Sequence, residues 1–417
     1  MKIPARLLAP LFLALSVVGA ARADEASSIA RGEYLARLGD CAACHTTDPA
    51  RPFAGGLKMG TPVGAIYSTN ITPDARTGIG AYTLEDFSRA VREGVAADGH
   101  RLYPAMPYPS FARISDQDIA DLYLYFRQGV RPVEQANRAA EIPWPLNMRW
   151  PLQAWDSLFA DSGPYQDDPR HSPEWNRGAY LVQGLGHCGS CHSPRGLAFQ
   201  EQALDQRDPR YLSGGTLEGW HAPDLTGATP SSLQNWSESE LMTFLRTGHT
   251  ERTAAFGAMA AAVQNSTQYF DEKDLRAVAV YLKSLGEGHS AAMLLHDDGS
   301  TYQALASGQA ASEGAALYLD NCAACHRSDG AGYRNTFPQL KGNSAVLGDD
   351  PSSLISIILK GSRMAVTEAA PSGLRMPDFG WRLDDRQVAA LATFLRQAWG
   401  HEAPTVSARQ VAALRRR

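Results

Sequence analysis

The chain has 417 residues, enough for two to four domains, and its formal net charge of −5 at pH 7 disfavours binding to nucleic acid. Beyond the N-terminal region no apolar run approaches roughly 18 residues, so the sequence predicts no membrane-spanning helix in the mature chain. An acidic surface of this kind instead suits docking onto a basic partner protein.

The N-terminal region has the three parts of a secretory signal peptide. Lys2 and Arg6 are positive, residues 7–20 form an apolar core, and residues 21–23 read Ala-Arg-Ala, an A-x-A cleavage site. We therefore expect residues 1–23 to be removed and a periplasmic mature protein to begin at Asp24 with a formal charge of −8, since three basic residues and no acidic ones are lost. A retained N-terminal anchor is the alternative, although the apolar core is too short to span a bilayer.

Three copies of the pattern Cys-x-x-Cys-His organise the rest of the chain. Two cysteines at this spacing can form thioether bonds to the vinyl groups of a haem, and the adjacent histidine becomes a ligand of its iron. A single copy could be a redox Cys-x-x-Cys or half of a zinc site, but three copies use all six cysteines and leave no thiol for a disulfide or a second metal shell. The sequence predicts three covalently bound haems c, attached through Cys41, Cys44, His45, Cys188, Cys191, His192, Cys322, Cys325 and His326.

Each motif is expected to lie between two helices, so the predicted fold class is mainly α. The helix before the motif contains Gly32, Gly178 or Gly314. Since glycine costs roughly 1 kcal/mol against alanine inside a helix, its recurrence indicates that another helix crosses closely there. The crossing helices are predicted to begin at caps and to carry apolar faces. The caps are Ser115, Asp271 and Asp384, and the faces are Ile119, Leu122, Tyr123 and Phe126, then Leu275, Val278, Ala279 and Leu282, then Val388, Leu391, Ala392 and Leu395.

The domain boundaries follow from these motifs and from the breaks between them. We expect three haem domains, at residues 24–135, 171–290 and 307–400. A Pro/Trp-rich connection at 136–170 joins the first two, and a polar linker at 291–306 joins the last two. A basic tail at 401–417 follows. The connection is broken by prolines and is expected to pack across the first two domains, an aromatic substrate-binding box being the alternative. Within this tail, residues 406–417 are basic and weakly amphipathic, which is compatible with attachment to a membrane surface.

The second axial ligand of each iron is expected to be a methionine. Met106 and Met376 lie beside prolines just before the closing helix, where a thioether would be held rigidly. Met364 lacks the following proline and is the alternative to Met376. In the second domain Met259 is predicted to lie on the turn before the closing helix, whereas Met242 lies inside a predicted helix and is more simply a core residue.

The remaining methionines and histidines are assigned structural roles. Met59, Met148 and Met293 have no matching context and are expected to pack. Surface or structural roles are predicted for His100, His171, His187, His221, His249, His289, His296 and His401. Ligation of an iron by two histidines would require one of them.

These motifs give the chain a resemblance to the triple-haem cytochrome c subunits of membrane-associated bacterial dehydrogenases that act on alcohols, aldehydes, gluconate, sorbitol or fructose. The resemblance covers nearly the whole mature sequence. Its further carriers are Tyr-Pro-Ala-Met-Pro-Tyr at 103–108, Phe-Gly-Ala-Met at 256–259 continuing to Asn-Ser-Thr at 265–267, Met-Pro-Asp-Phe-Gly-Trp at 376–381 and Trp-Gly at 399–400. It implies three tandem class I cytochrome c-like domains in a periplasmic protein attached peripherally to the outer face of the cytoplasmic membrane.

In that family a large quinoprotein or flavoprotein dehydrogenase oxidises CH–OH or aldehyde donors, and the cytochrome subunit passes electrons towards ubiquinone or a terminal oxidase. If histidine and methionine fill both axial positions of every iron, the chain can only relay electrons, and no catalytic residue is expected. No dinucleotide fingerprint, Ser/His/Asp set or zinc-protease helix accompanies the haem motifs. The alternative is a stand-alone periplasmic multihaem carrier, or a haem enzyme with one open iron.

Overall fold

The computed structural model describes residues 9–61, 63–160, 163–217, 219–227, 233–286 and 296–416. The chain divides into two compact units, Met1–Tyr165 and Gln166–Arg417. The mainly helical architecture predicted from the sequence is confirmed, because every sheet among the described residues is a two-stranded hairpin. Residues 1–8 of the predicted signal peptide, His289 and Met293 lie outside the described ranges.

The first unit contains one hairpin and a set of helices in its described part. The helices are α1 (Ala9–Leu38), α2 (Cys41–His45), α3 (Leu84–Glu93), α4 (Tyr108–Phe111), α5 (Asp116–Leu124) and α6 (Pro151–Phe159). A π-helical turn, Tyr125–Gly129, continues α5. Strands β1 (Lys58–Thr61) and β2 (Gly64–Tyr67) pair antiparallel, with Met59 opposite Ile66.

The second unit repeats the helix, haem motif and closing helix twice. Its first half has α7 (Pro173–Gln183), α8 (Gly189–His192), β3 (Gly215–Leu217), β4 (Trp220–Ala222), α9 (Glu238–Thr247), α10 (Gly257–Asn265) and α11 (Glu272–Ser284). Short 3₁₀ turns lie at Leu233–Asn235 and Thr267–Tyr269. Its second half has α12 (Ser300–Ala306), α13 (Glu313–Asn321), α14 (Ala323–His326), α15 (Ser344–Leu347), α16 (Ser352–Lys360), β5 (Ser362–Arg363), β6 (Arg375–Met376), α17 (Asp385–Gln397) and α18 (Ala408–Arg415). Strands β3 and β4 pair antiparallel, as do β5 and β6.

The three closing helices begin where the sequence predicts. The side chains of Ser115, Asp271 and Asp384 cap α5, α11 and α17 by accepting backbone N–H bonds in the first turn. The predicted apolar faces are buried except for Tyr123, which is half-buried, and Leu275 and Val388 are fully inaccessible to solvent. Phe126 is also buried, although it lies in the π-helical turn that follows α5.

The glycine in each preceding helix marks the predicted close crossing. A Cβ placed on Gly32 would lie 2.0 Å from the carbonyl oxygen of Asp121 in α5. The same construction on Gly178 meets the carbonyl oxygen of Ala277 in α11 at 2.0 Å, and on Gly314 it meets that of Ala390 in α17 at 2.3 Å. Any side chain at these positions would push the two helices apart, which explains why glycine recurs despite its low helix propensity.

The C-terminal segment packs onto the third haem-motif region. Val411 and Leu414 of α18 are buried in the core formed with α16 and α17, and Arg415 pairs with Asp385 at 2.6 Å. The apolar side of this segment is therefore not available to a membrane surface. Similarly, Leu305 of α12, within the predicted linker, is buried in the same core. In the described parts of the chain, no helix has the combined length and hydropathy needed to cross a bilayer.

Candidate haem-binding sites

Each Cys-x-x-Cys-His motif forms a short helix directly after the first helix of its repeat. These helices are α2, α8 and α14, and none of the six cysteines forms a disulfide. Burial raises the pKa of the first cysteine of each motif, Cys41, Cys188 or Cys322, to about 12. These three thiols are thus neutral in this fold, and one helical turn separates the two cysteines of each motif.

The three motif histidines share one hydrogen-bond arrangement. Nδ1 of His45 donates to the carbonyl oxygen of Thr69 at 2.6 Å, and Nδ1 of His192 donates to that of Pro223 at 2.8 Å. Nδ1 of His326 donates to the carbonyl oxygen of Pro338 at 2.9 Å. A carbonyl acceptor fixes the proton on Nδ1 and leaves the lone pair on Nε2, which is the arrangement of a metal-ligating imidazole.

Burial lowers the pKa of all three histidines, so each imidazole is held neutral. Two thiols one turn apart, followed by a neutral imidazole with a fixed tautomer, match the donors that a c-type haem requires. The same set occurs three times with the same backbone partner type. The residues present therefore fit covalently attached haem.

Met106 lies in the first unit, two residues before α4. Its carbonyl oxygen accepts the N–H of Tyr108 at 2.8 Å, and the Tyr108 hydroxyl donates to Oδ1 of the buried Asp156 at 2.6 Å. Arg101 donates to the other oxygen of Asp156 at 2.8 Å. Arg101 and Tyr108, on either side of Met106 in the chain, therefore both form hydrogen bonds with Asp156 of α6. The segment that carries Met106 is thus held by the predicted Pro/Trp-rich connection.

Met259 is the third residue of α10 and packs against a core of Ala255, Ala260, Val263 and Ala365. The sequence predicts a turn at this position, and that prediction is wrong. The run from Ala258 to Val263 contains mostly strong helix formers and makes its own nine-residue helix before α11. Met242 lies within α9, as predicted.

The β3–β4 hairpin connects the two sides of the second site. Pro223, just after β4, accepts the hydrogen bond from His192. Trp220, within β4, packs against the start of α10, with its ring centroid 5.7 Å from that of Phe256. The hairpin therefore contacts both the motif histidine and the helix that carries Met259.

Met376 lies in β6 and is paired with Ser362 of β5. The alternative, Met364, follows β5 and donates its N–H to the carbonyl oxygen of Leu374 at 2.9 Å. Both methionines are half-buried on the same hairpin. Met376 is the nearer of the two in sequence to the closing helix α17.

Comparison with known proteins identifies the family of this chain. The family model for cytochrome c matches residues 176–286 and 311–399. The chain is 48% identical to the gluconate 2-dehydrogenase cytochrome c subunit of Pantoea cypripedii, over 95% of this chain and 92% of that protein. It is 47% identical to the cytochrome c subunit of the quinone alcohol dehydrogenase of Gluconobacter oxydans (strain 621H), over 98% and 87%. It is 38% identical to the fructose dehydrogenase cytochrome subunit of Gluconobacter japonicus, over 93% and 82%.

The chain belongs to this family of dehydrogenase cytochrome c subunits. As a cytochrome c it carries covalently bound haem c and transfers electrons. The first Cys-x-x-Cys-His motif lies outside both segments matched by the family model, but the relatives span nearly the whole chain.

Other histidines of this cytochrome are engaged in the fold. Nδ1 of the buried His401 donates to the carbonyl oxygen of Leu395, and its Nε2 accepts the N–H of Gly342. Both ring nitrogens are therefore used, and burial lowers the pKa of this imidazole. His171 stacks on Trp175 with 3.7 Å between ring centroids.

Sequence reasoning missed the carbonyl acceptors Thr69, Pro223 and Pro338. They follow their histidines by 24, 31 and 12 residues, so no constant spacing reveals them. A weak pattern does exist. Each acceptor is followed by Asn, Asp or Gln and then by Ile or Leu, at residues 70–71, 224–225 and 339–340.

Proposed function

We propose that the mature chain carries three haems c and relays electrons from a large dehydrogenase partner towards ubiquinone or a terminal oxidase. The observation that supports three haems is the threefold occurrence of the motif with its Nδ1-anchored histidine. The partner is proposed to be a quinoprotein or flavoprotein that oxidises an alcohol, a sugar or a sugar acid. The proposed substrates follow the names of the relatives, which are cytochrome subunits of gluconate, quinone alcohol and fructose dehydrogenases.

The proposed axial pairs are His45 with Met106, His192 with Met259, and His326 with Met376. When bound, haem c supplies one-electron redox chemistry at its iron. The Nδ1 hydrogen bonds would orient each imidazole and make it a more basic ligand. The methionines would close the opposite faces and exclude water and peroxide, so the chain's own residues leave no position for substrate.

We also propose that the mature protein begins at Asp24, lies in the periplasm and associates peripherally with the cytoplasmic membrane. An exposed apolar surface in the first unit supports this association. It consists of Trp144, Leu146, Met148, Trp150 and Leu158, and the two tryptophans are 79% and 72% exposed.

The charged side chains of this segment are engaged by other parts of the unit, which favours a lipid interface as the occupant of the surface. The charged residues within 142–159 are Arg149 and Asp156, and both bind other parts of the unit. Arg149 donates to the carbonyl oxygen of Arg101 and lies over the ring of Tyr103 at 3.9 Å. Exposed tryptophans among aliphatic side chains are typical of the membrane–water boundary.

The experiment that tests the relay uses membranes of the host. The chain should co-purify with the dehydrogenase, and its haem absorbance should become reduced when the partner's substrate is added. Deleting its gene should abolish quinone-linked respiration on that substrate and leave dye-linked dehydrogenase activity largely intact. Oxidation of the substrate by the isolated chain would overturn the relay and favour a haem enzyme with an open iron.

A further inference from the structure

The second unit contains two haem-motif regions, and residues 362–366 of the later one lie against the earlier one. Ala365 is 2% exposed and belongs to the same core as Ala255, Ala260 and Val263. Met259 packs against this core. Ala365 also lies beside Gly248 of the earlier region, since a Cβ on that glycine would be 2.7 Å from the Ala365 Cβ. The packing around Met259 is therefore completed by a residue more than 100 positions later in the chain.

Ser362 provides a second contact, at the start of α10. No side chain from the segment before α10 caps this helix. Instead, the N–H of Gly257 donates to Oγ of Ser362 at 3.0 Å. The first N–H groups of a helix lack partners within the helix, so the serine satisfies one of them from the neighbouring region. Met259 lies two residues further along this helix.

The other end of α10 is held by the same segment. The N–H of Val366 donates to Oε1 of Gln264 at 3.2 Å. On its other side Ser362 pairs with Met376 in the β5–β6 hairpin. Residues 362–366 thus bind both ends of the helix that carries Met259 and are continuous with the strand pair that carries Met376.

The two regions are also joined by hydrogen bonds outside this segment. Ser353 exchanges two hydrogen bonds with the backbone of His221, at 2.8 and 2.9 Å, and Ser356 donates to the carbonyl oxygen of Gly219 at 2.8 Å. These bonds hold the β3–β4 hairpin against α16. Residues 362–366 instead contact α10 and, through Ala365, the end of α9 at Gly248.

We propose that residues 362–366 position Met259, so that ligation of the second haem iron depends on the third haem-motif region. This inference rests on the proposed function, because it takes Met259 and Met376 as ligands. Ser362 and Val366 are positioning residues, acting through α10. A haem bound at the second site would therefore respond to changes in the third region, and the two sites would be coupled through one segment.

The test compares four variants of the full-length holoprotein with the wild type. Ser362→Ala/Gln264→Ala removes both hydrogen bonds to α10. The control, Arg334→Ala, removes a polar contact that joins the same two regions outside α10, the exposed ion pair of Arg334 with Glu251 at 3.2 Å. Ser362→Thr keeps the hydroxyl and should restore the wild-type behaviour.

We expect the double variant to bind carbon monoxide at one haem, to lose part of the methionine–iron charge-transfer band and to show one lowered midpoint potential. The control and Ser362→Thr should match the wild type. If the double variant matures poorly, Ser362→Ala alone should show the same changes to a smaller extent. Wild-type ligation and potentials in both Ser362→Ala variants would overturn this inference alone. A wild-type protein with fewer than three haems, or without methionine ligation, would instead overturn the proposed function.

Discussion

Replacement of Gly178 by alanine tests the close crossing of α7 and α11. Alanine favours a helix by roughly 1 kcal/mol over glycine, so propensity alone predicts stabilisation. The added Cβ, however, would lie 2.0 Å from the carbonyl oxygen of Ala277, where ordinary contacts begin at 3.4 Å. The helices must separate by roughly 1.4 Å, the difference between these two distances, because the obstacle is backbone and cannot rotate away.

Separation weakens the packing of residues that the crossing buries, including Leu181, Leu275 and Tyr281, each of which is fully inaccessible to solvent. A gap of about 1 Å forfeits up to about half of the dispersion energy of a contact. Overpacking of this kind typically costs about 1 to 3 kcal/mol, and the backbone obstacle favours the upper end. After the gain in propensity, we expect Gly178→Ala to destabilise the crossing by about 2 kcal/mol.

Hydrogen exchange of the α7 and α11 amides measures this effect locally, whatever the stability of the other unit. A loss of about 2 kcal/mol corresponds to exchange about thirtyfold faster. Gly60→Ala is the control, because no atom lies within 4 Å of the added Cβ and its φ is not positive. The change in stability caused by Gly60→Ala should stay within about 0.5 kcal/mol. Slower exchange in Gly178→Ala than in the wild type would refute the close crossing.

Three further predictions address the ligands, the pH dependence and the exposed surface. Met259→Ala should open one haem to carbon monoxide, whereas Met242→Ala should leave carbon monoxide binding unchanged; the reverse result would exchange their roles. The folded-state pKa of His401 is lowered below its usual 6.5, so its contribution to stability is present above that value and is lost as the pH falls through the folded pKa. His401→Gln should therefore reduce the acid-induced fall in the urea midpoint, and an identical pH profile would contradict this. Trp144→Ser/Trp150→Ser should lower co-flotation with phosphatidylethanolamine/phosphatidylglycerol vesicles, whereas loss of the dehydrogenase with unchanged flotation would assign this surface to the partner.

The helical framework could be predicted because its determinants are local. A capping side chain and an apolar face occupy one short stretch of sequence, so the starts of α5, α11 and α17 could be read directly. The glycines at 32, 178 and 314 also predicted a long-range contact, because a closely crossing helix explains a glycine at these positions. The haem attachment motifs were equally local.

The missed features depend on loops of variable length. The carbonyl of Thr69 contacts His45 only because the β1–β2 hairpin folds back over 24 residues, while Pro338 reaches His326 after 12. Any residue type can supply a backbone carbonyl, so these acceptors leave no required side chain in the sequence. The docking of α18 was also missed, because a short basic amphipathic segment looks the same in sequence whether its apolar side meets lipid or protein.

The second unit shows why three similar motifs need not behave as three independent modules. Its inner contacts use small and polar residues, such as Ser353, Ser356, Ser362 and Ala365, which produce no hydrophobic periodicity. Small side chains allow backbones to approach closely, and serine can satisfy the backbone groups that the approach buries. For an electron relay such a contact is useful, because it fixes the separation of adjacent sites without adding a large apolar interface. The coupling proposed between Met259 and Met376 is a direct consequence of this packing.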